Sequence, residues 1–329
     1  MKALQVQELG APIDVLKMVE ITSPAPNPGQ VRIKVGAAAL NFADELLSRG
    51  LYQFKPELPF TPGMEVAGEV TGVGEGVDIE LGRRVMAVPA LPKGGLAQEC
   101  LAEARNCFTV PDDIEYQQAA AILIPYQTSH TALHRRANLQ SGETLLVHAG
   151  AGGVGSAAIQ LGRAAGAMVI ATAGGPEKVK VCKKLGAHHA IDYSDSDFVD
   201  EVKDLTEARG ADVIYDPVGG EIFDRSRKCV AWEGRIVVVG FAGGAIPKIP
   251  ANQLMFRNYS VVGCYMGGYS NRDRPYMDSL FEEIFDMCRN GEIKPLVNTR
   301  LSLAEAPAAI TALAARETIG KIIIDPGLS

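Results

Sequence analysis

The chain has 329 residues and a formal net charge of −7, with 47% hydrophobic and 22% charged residues. This length favours two domains over one small module. An acidic chain without a long run of Lys or Arg argues against nucleic acid or an anionic membrane as a partner. No apolar segment approaches the ~20 residues of a membrane span. Six scattered cysteines without a C-x-x-C pair are typical of reduced thiols, so we expect a cytoplasmic protein.

The first part of the chain, to about residue 122, alternates short apolar runs with Gly and Pro. Gln30–Val35, Glu65–Val77 and Arg84–Val88 have the composition of β-strands. One helix is expected from Phe42 to Ser48, ended by Gly50. Many short strands divided by Gly and Pro predict a partly open β-barrel.

From about Tyr116 the pattern changes to helices that alternate with apolar strands. This alternation predicts a doubly wound parallel sheet with right-handed crossovers. The expected helices are 117–122, 129–136 and 276–290, and the expected strands are 145–148, 169–172, 213–215, 236–239, 297–301 and 321–325. The pattern leaves open whether the last two strands extend this sheet or return to the first domain.

A glycine-rich turn follows the apolar residues Leu145–Val147 and precedes a helix. Strand, G-x-G-x-x-G turn and helix together are the context that predicts a dinucleotide site. We expect the first glycine to permit the tight turn, the second to let the backbone approach a diphosphate, and the third to let helix and strand pack closely. The predicted contacts are Gly150, Ala151, Gly152, Gly153, Val154 and Gly155, at the positive end of the helix dipole.

The end of the second strand selects between the two nicotinamide cofactors. A carboxylate there favours NAD and repels the extra phosphate of NADP. Here Ala173 and Gly174 carry no acid, Lys178 follows at the start of the next helix, and Tyr193 comes after the next strand. We therefore expect NADPH, with Lys178 paired to its 2′-phosphate and Tyr193 covering the same pocket. The alternatives are a solvated lysine and a packing tyrosine.

Several separate motifs resemble the medium-chain dehydrogenases/reductases, and among them the zeta-crystallin-like quinone oxidoreductases. The most specific positions are Gly142, Glu143, Leu146, Gly150–Gly153, Gly155, Gln160 and Arg163, and the others are Asn41–Asp44, Arg49–Tyr52, Pro62–Glu65 and Asp216–Gly220. The resemblance implies an α/β protein with a GroES-like catalytic domain at 1–123, completed by 265–329, and a Rossmann domain at 124–264.

The zinc enzymes of this superfamily hold their catalytic metal with Cys, His and Cys, and this chain departs from that pattern. Asn41 and Met64 stand at the first two positions, and residues 121–131 contain no cysteine. An amide and a thioether do not build the site that catalytic zinc requires, so we expect no metal. His130 and His134 have i, i+4 spacing, but the sequence supplies no third ligand, and a helix-surface or interface role is favoured.

The resemblance also places Asn41 and Tyr52 around the nicotinamide and the acceptor, and both are our catalytic candidates. Asn41 is the expected hydrogen-bond donor, with a helix N-cap as its alternative, and packing is the alternative for Tyr52. The further cofactor contacts that it implies are Thr128, Val218, Phe241, Ala242 and Lys321.

The function that this resemblance implies is NADPH-dependent hydride delivery to quinones. One alternative is the reduction of an enone or an enoyl thioester, and another is a non-catalytic nucleotide-binding or structural protein. An electron-poor acceptor needs little help beyond orientation, since one or two donors stabilise its developing oxyanion. By analogy with relatives, the apolar segment Val261–Cys264 is expected to form an edge of a homodimer.

Overall fold

The computed structural model describes residues 1–328. Its strands are β1 (Lys2–Val6), β2 (Leu16–Glu20), β3 (Gln30–Ala39), β4 (Val66–Val73), β5 (Arg84–Pro89), β6 (Glu99–Thr109), β7 (Thr144–Val147), β8 (Met168–Ala173), β9 (His189–Asp192), β10 (Ala211–Asp216), β11 (Val230–Val238), β12 (Ser260–Gly263), β13 (Val297–Leu301) and β14 (Lys321–Ile324). Its α-helices are α1 (Pro12–Val15), α2 (Phe42–Ser48), α3 (Tyr116–His130), α4 (Gly153–Ala164), α5 (Pro176–Lys184), α6 (Phe198–Leu205), α7 (Gly220–Ser226), α8 (Ala251–Arg257), α9 (Tyr269–Arg272), α10 (Arg274–Arg289) and α11 (Ala306–Ala314).

The chain forms two compact units. The first contains Met1–Leu123, Ser270–Asp278 and Leu296–Ser329, and the second contains Ile124–Tyr269 and Ser279–Pro295. We expected all of 265–329 to belong to the first domain, whereas the structure groups residues 265–269 and 279–295 with the second unit.

The first unit is built on a mixed sheet in the order β13-β14-β3-β4-β5-β6, in which β3 also pairs with β6. This extra pairing closes β3 to β6 on themselves, so the predicted partly open barrel is confirmed. Along β3 the apolar residues Val31, Ile33 and Val35 are buried and Lys34 is exposed. The period-two pattern of the sequence therefore directs one face of the strand into the barrel core.

The C-terminal strands join the barrel and do not extend the parallel sheet. β14 pairs antiparallel with the end of β3, where Ile323 lies opposite Ala39, and β13 pairs parallel with β14. All four residues of β14 are buried. A strand that is buried on both faces carries no alternation, which is why its sheet could not be read from its pattern.

The second unit contains a six-stranded sheet in the order β12-β11-β10-β7-β8-β9, with every neighbouring pair parallel. Counted within the unit, the order is 6-5-4-1-2-3, and the direction of strand addition reverses between β7 and β10. The predicted doubly wound Rossmann sheet is confirmed. In such sheets a ligand binds beyond the carboxyl ends of the strands at this reversal.

Some predicted elements differ from the observed ones. Helices were expected at 117–122 and 129–136, but α3 runs unbroken from Tyr116 to His130 with Pro125 inside it and continues as a π-helical turn, Thr131–Arg136. The prediction of two helices was therefore wrong. Strand β6 was missed because its exposure does not alternate. Within residues 1–328, no helix combines the length and the apolar character that crossing a bilayer requires.

Candidate active site

The glycine-rich turn lies directly beyond the carboxyl end of β7, as predicted, but its left-handed residue is not the expected one. Ala149 has φ 52°, whereas Gly150 does not adopt a positive φ. A Cβ on Gly150 would instead lie 2.9 Å from Cys182 Sγ and 3.0 Å from Ala171 Cβ. Gly150 is therefore needed for space and not for its backbone conformation.

Gly155 behaves as the motif predicts, and Gly152 lies at the start of the helix. A Cβ on Gly155 would lie 2.2 Å from the carbonyl oxygen of Ala149, so close packing at the start of α4 requires glycine. At Gly152, the N-cap of α4, a Cβ would meet only the Ala149 oxygen, at 3.3 Å. The first hydrogen bond into α4 runs from Ser156 N–H to Gly152 C=O over 2.9 Å. The N–H groups before Ser156 therefore lack intrahelical partners and suit a diphosphate.

A buried histidine directly before this turn is hydrogen-bonded to two neighbouring elements. Ser226 Oγ donates to the Ile222 carbonyl over 2.7 Å, so it accepts from His148 Nε2–H over 2.8 Å, and His148 Nδ1 then accepts from the Thr172 hydroxyl at 3.0 Å. Burial, with a smaller effect of the Arg225 charge, lowers the pKa of His148 to about 3. His148 is therefore neutral and, between the end of β7 and the glycine turn, is hydrogen-bonded to β8 and α7.

A second buried hydroxyl, on α3, fixes the start of α4. Ser129 Oγ donates to the Val154 carbonyl over 2.9 Å and lies 2.9 Å from the hydroxyl of Tyr215, which donates to it in turn. Ser129 is fully buried. Sequence reasoning missed Ser129, Tyr215 and His148, because a polar residue in an apolar run gives no sign of its partner.

The residues expected near the 2′-phosphate of the cofactor lie at or after the carboxyl ends of β8 and β9. Ala173 is the last residue of β8, and a Cβ on Gly174 would lie 2.7 Å from the hydroxyl of Tyr193, so this ring covers the turn. Lys178 is partly buried in the first part of α5. Nearby, Asp192 Oδ1 accepts from Gly175 N–H over 2.9 Å, and hydrogen bonds hold the pKa of its carboxyl below the usual range.

The residues expected near the nicotinamide follow β10 and β11 along the same edge of the sheet. Asp216 ends β10, and its carboxylate accepts from the N–H groups of Val218 and Gly219 at 2.8 and 2.9 Å. Ala242 N–H donates to the Pro217 carbonyl over 3.1 Å. The loops that carry Val218, Phe241 and Ala242 are therefore held together.

Thr128, on α3, belongs to the same unit. Cys264 Sγ lies 3.9 Å from its carbonyl oxygen, and Cys264 N–H donates to the Val238 carbonyl at the end of β11. The backbone of Thr128 therefore lies close to the carboxyl ends of β11 and β12.

In the first unit, Asn41 and Lys321 come together with a carboxylate that sequence reasoning did not single out. The Lys321 ammonium donates to Asn41 Oδ1, to the Leu40 carbonyl and to Glu65 Oε2 over 2.8, 2.8 and 2.7 Å. Asn41 Nδ2 donates to Glu65 Oε2 at 2.9 Å and to the Ala39 carbonyl at 3.1 Å. All three ammonium protons and both amide protons are thus engaged inside this unit, and any contact of either side chain with a ligand would have to replace one.

Asp44 positions the helix that begins after Asn41. Its carboxylate accepts from Asn41 N–H over 2.8 Å and from Gly63 N–H over 3.0 Å, so it ties α2 to the loop before β4. Burial raises the pKa of Asp44 to about 6, and the two backbone donors oppose that shift. Tyr52 and Met64 are both partly buried and pack against the barrel core.

Both units match known families. Residues 27–112 match the alcohol dehydrogenase GroES-like domain, and residues 153–283 match the zinc-binding dehydrogenase family. The quinone oxidoreductase-like protein 2 homolog of Nematostella vectensis is 39% identical over 98% of this chain and 88% of its own length. The chain belongs to the quinone oxidoreductase family of medium-chain dehydrogenases/reductases.

Solved structures of this family superpose on the whole chain. The Escherichia coli quinone oxidoreductase, solved as a complex with NADPH, has a TM-score of 0.92 and 31% identity, with 99% of this chain and 100% of that chain covered. A 2-haloacrylate reductase has a TM-score of 0.86 and 31% identity, with both chains covered completely.

Although this family is related to zinc enzymes, the side chains present here do not fit a catalytic zinc. Asn41 offers an amide whose oxygen already faces the Lys321 ammonium at 2.8 Å, so a cation there would be repelled. Met64 offers a thioether, and catalytic zinc takes His, Cys and carboxylate ligands. Within residues 1–328, no group of three or more His, Cys, Asp or Glu side chains is arranged to hold a metal ion.

The histidine pair in the π-helical region is less exposed than the sequence suggests. The rings of His130 and His134 lie 4.5 Å apart, and His130 Nε2 lies 3.2 Å from a Glu283 carboxylate oxygen on α10. His130 is buried, so a helix-surface role is wrong for it. Burial and the neighbouring His130 lower the pKa of His134 to about 4. A carboxylate therefore does accompany this pair.

Proposed function

We propose that this chain is an NADPH-dependent oxidoreductase that delivers hydride to quinones without a metal. The observation that carries the proposal is the turn at Gly150–Gly155, where Gly155 lets α4 pack closely and the N–H groups at the start of α4 have no intrahelical partner. The NADPH complex of the 31% identical E. coli quinone oxidoreductase supports the choice of cofactor and acceptor.

In this proposal the second unit holds the cofactor along one edge of its sheet. The turn residues, Gly150 to Gly155, surround the diphosphate, which is bound by the N–H groups of Gly153, Val154 and Gly155. The N–H groups of Gly150 and Gly152 already donate to the carbonyls of Thr172 and Ala149. Lys178 pairs with the 2′-phosphate and Tyr193 covers it, while Ala173 and Gly174 offer no repelling carboxylate. The Asp192 carboxylate is turned to the N–H groups of Gly175 and Ser194.

At the other end of the cofactor, the nicotinamide is proposed to be oriented by Thr128, Val218, Phe241 and Ala242. NADPH, when bound, supplies the hydride. The chain then has two tasks, which are to hold the acceptor flat against the ring and to exclude water. Tyr52 offers a ring face and a hydroxyl for the acceptor. Asn41 and Lys321, engaged with each other and Glu65, are proposed to hold the acceptor side of the first unit rigid.

Chemistry without a metal follows from the kind of acceptor. A quinone places the incoming negative charge on an oxygen that solvent or a single donor protonates, so it needs no Lewis acid. Alcohol oxidation requires stabilisation of an alkoxide, which zinc supplies in other enzymes. The amide at Asn41 and the thioether at Met64 fit the first reaction and not the second.

The second candidate is reduction of an alkene conjugated to a carbonyl, the enone or enoyl-thioester class. The 2-haloacrylate reductase, 31% identical over the whole chain, favours it, because a 2-haloacrylate is such an alkene. The electron demand of this reaction is similar to that of quinone reduction.

We further propose a cytoplasmic homodimer. Strand β12 lies at one edge of the parallel sheet and pairs with β11 on its other side. Its residues are exposed or partly exposed, and an open edge of this kind is a template for pairing with a second copy.

A panel of acceptors tests the proposal. NADPH oxidation is followed with 1,2-naphthoquinone, benzoquinone, an enone, 2-chloroacrylate and crotonyl-CoA, and kcat/KM is compared across the panel. The proposal expects the quinones to have the highest kcat/KM. A higher value for an alkene would establish the second candidate, and NADPH binding without turnover would leave a binding protein.

A further inference from the structure

A cavity of about 430 Å³ in the second unit is lined by basic residues. Lys203, Arg227, Lys228 and Arg257 surround it, together with Phe256 and Tyr259. This volume lies within the range of small-molecule sites, about 300–1,000 Å³. None of these residues belongs to the proposed cofactor site or the proposed acceptor site.

The cavity and the glycine turn lie at opposite ends of the parallel strands. Lys228 comes two residues before β11, and Tyr259 comes directly before β12, so both lie at the amino ends of their strands. The glycine turn follows the carboxyl end of β7. Because these strands are parallel, a molecule in the cavity would not occupy the proposed cofactor site.

The charge of the cavity is opposite to that of the chain. The chain carries a net −7, yet four cationic side chains gather here. Arg227 pairs with Asp224 over 2.6 Å and hydrogen-bonds to Gln253. In the part of the chain that the structure describes, no ion pair engages Lys203, Lys228 or Arg257. Gathered like charges repel each other unless an anion lies between them.

Two buried polar atoms beside this cavity are left unsatisfied. Tyr259 is only 4% exposed, and its hydroxyl and the Nε of Arg227 have no hydrogen-bond partner of good geometry, although the two side chains are close enough to interact. Burial raises the pKa of Tyr259, so the hydroxyl keeps its proton and can donate. Buried polar atoms in native proteins are nearly always paired, and these two are only imperfectly paired with each other, so an acceptor oxygen in the cavity would give the Tyr259 hydroxyl a better partner.

An exposed aromatic ring completes the cavity. Phe256 is 69% exposed and lines it. We propose that this cavity binds a phosphate-bearing small molecule, with its phosphate at Arg227 and Tyr259 and a planar group on Phe256. Guanidinium groups bind phosphate through paired, charge-assisted hydrogen bonds, and an aromatic face suits a purine or a similar ring.

Inorganic pyrophosphate and ADP are the probes, titrated calorimetrically into the full chain saturated with NADPH. NADPH fluorescence reports whether a probe displaces the cofactor. We expect both probes to bind without displacement. The double variant K228Q/R257Q should weaken both by about tenfold or more, and Y259F by about threefold or more. F256A should weaken ADP and leave pyrophosphate unchanged, which separates a nucleotide from a free phosphate.

The matched control is K183Q/K294Q, which removes two exposed positive charges of the same unit away from the cavity. It should bind both probes as the unaltered chain does. Four results would overturn the proposal: no binding at millimolar probe, displacement of NADPH alone, equal weakening in the control, or binding to anionic vesicles but not to pyrophosphate. The variants lie in the cavity, so these results do not depend on whether the chain reduces quinones.

Discussion

The ammonium of Lys321 lies 2.8 Å from Oδ1 of Asn41, and this contact joins the last strand to the start of α2. Glu65, which is fully buried, accepts from both side chains. The position that carries a metal-binding cysteine in zinc enzymes of the superfamily is thus occupied here by an amide held between a buried cation and a buried anion. All the donors of Lys321 and Asn41 are engaged in this cluster, and a cation placed at Asn41 would meet the Lys321 ammonium.

Removal of Lys321 should strongly destabilise the first unit. Lys321→Met leaves the Glu65 carboxylate buried without its cation, and breaking a buried pair in this way costs about 3–5 kcal/mol. The free energy of unfolding in urea measures the loss. The double variant K321M/E65Q removes both charges and should recover a large part of it. Equal losses in the single and the double variant would show that the ion pair is not what Lys321 contributes.

Stability should fall on acidification because of His148. Its pKa is about 3 in the folded chain and near 6.5 when unfolded, so the unfolded state binds the extra proton between these values. The stabilisation is complete above pH 6.5 and is lost as the pH falls towards 3, at up to about 1.4 kcal/mol per pH unit. Urea unfolding at pH 7 and pH 5 measures this slope. In H148Q the difference between the two pH values should be smaller, and an unchanged difference would assign the effect to another group.

Gly152→Ala should impair cofactor binding more than folding. The added Cβ meets only the Ala149 oxygen, at 3.3 Å, but it enters the space in which the diphosphate is proposed to bind. We expect the melting temperature to change little and the NADPH dissociation constant to rise by about tenfold or more. Gly72→Ala is the control, because it lies in the first unit and its Cβ would meet only Arg32 side-chain atoms, at an ordinary contact distance of 3.5 Å. Unchanged NADPH affinity in G152A would remove the turn from the cofactor site.

Lys178→Ala should discriminate between the two nicotinamide cofactors. If Lys178 pairs with the 2′-phosphate, the KM for NADPH should rise by about tenfold while the KM for NADH stays nearly constant. Lys180→Ala is the control, since Lys180 lies on the same helix and pairs with Glu177 over 2.7 Å. Equal effects of K178A on both cofactors would contradict the phosphate assignment.

The sequence predicted the two folds because their signals are local. The alternation of apolar and polar residues along β3 lies within one short stretch of sequence. The same holds for the strand, turn and helix around Gly150. Contacts between distant stretches carried no such signal. The partner of Glu65 is Lys321, which is far away in the sequence, and the partner of Ser129 is Tyr215. Neither role can be predicted before the fold is known.

Glycine roles were only partly predictable for the same reason. Gly155 packs as the motif predicts, whereas the left-handed residue is Ala149 and Gly150 is required by Cys182 from α5. Whether a glycine is needed for a positive φ or for close packing depends here on Cys182, about thirty residues away. A local sequence pattern does not contain that information.

The measurement that tests the account most directly is the steady-state rate of NADPH oxidation with 1,2-naphthoquinone, before and after exhaustive treatment of the chain with EDTA. We predict saturable turnover that needs both substrates and is undiminished by EDTA. Loss of activity that added zinc restores would contradict chemistry without a metal. Absence of turnover while NADPH remains bound would contradict quinone reduction itself.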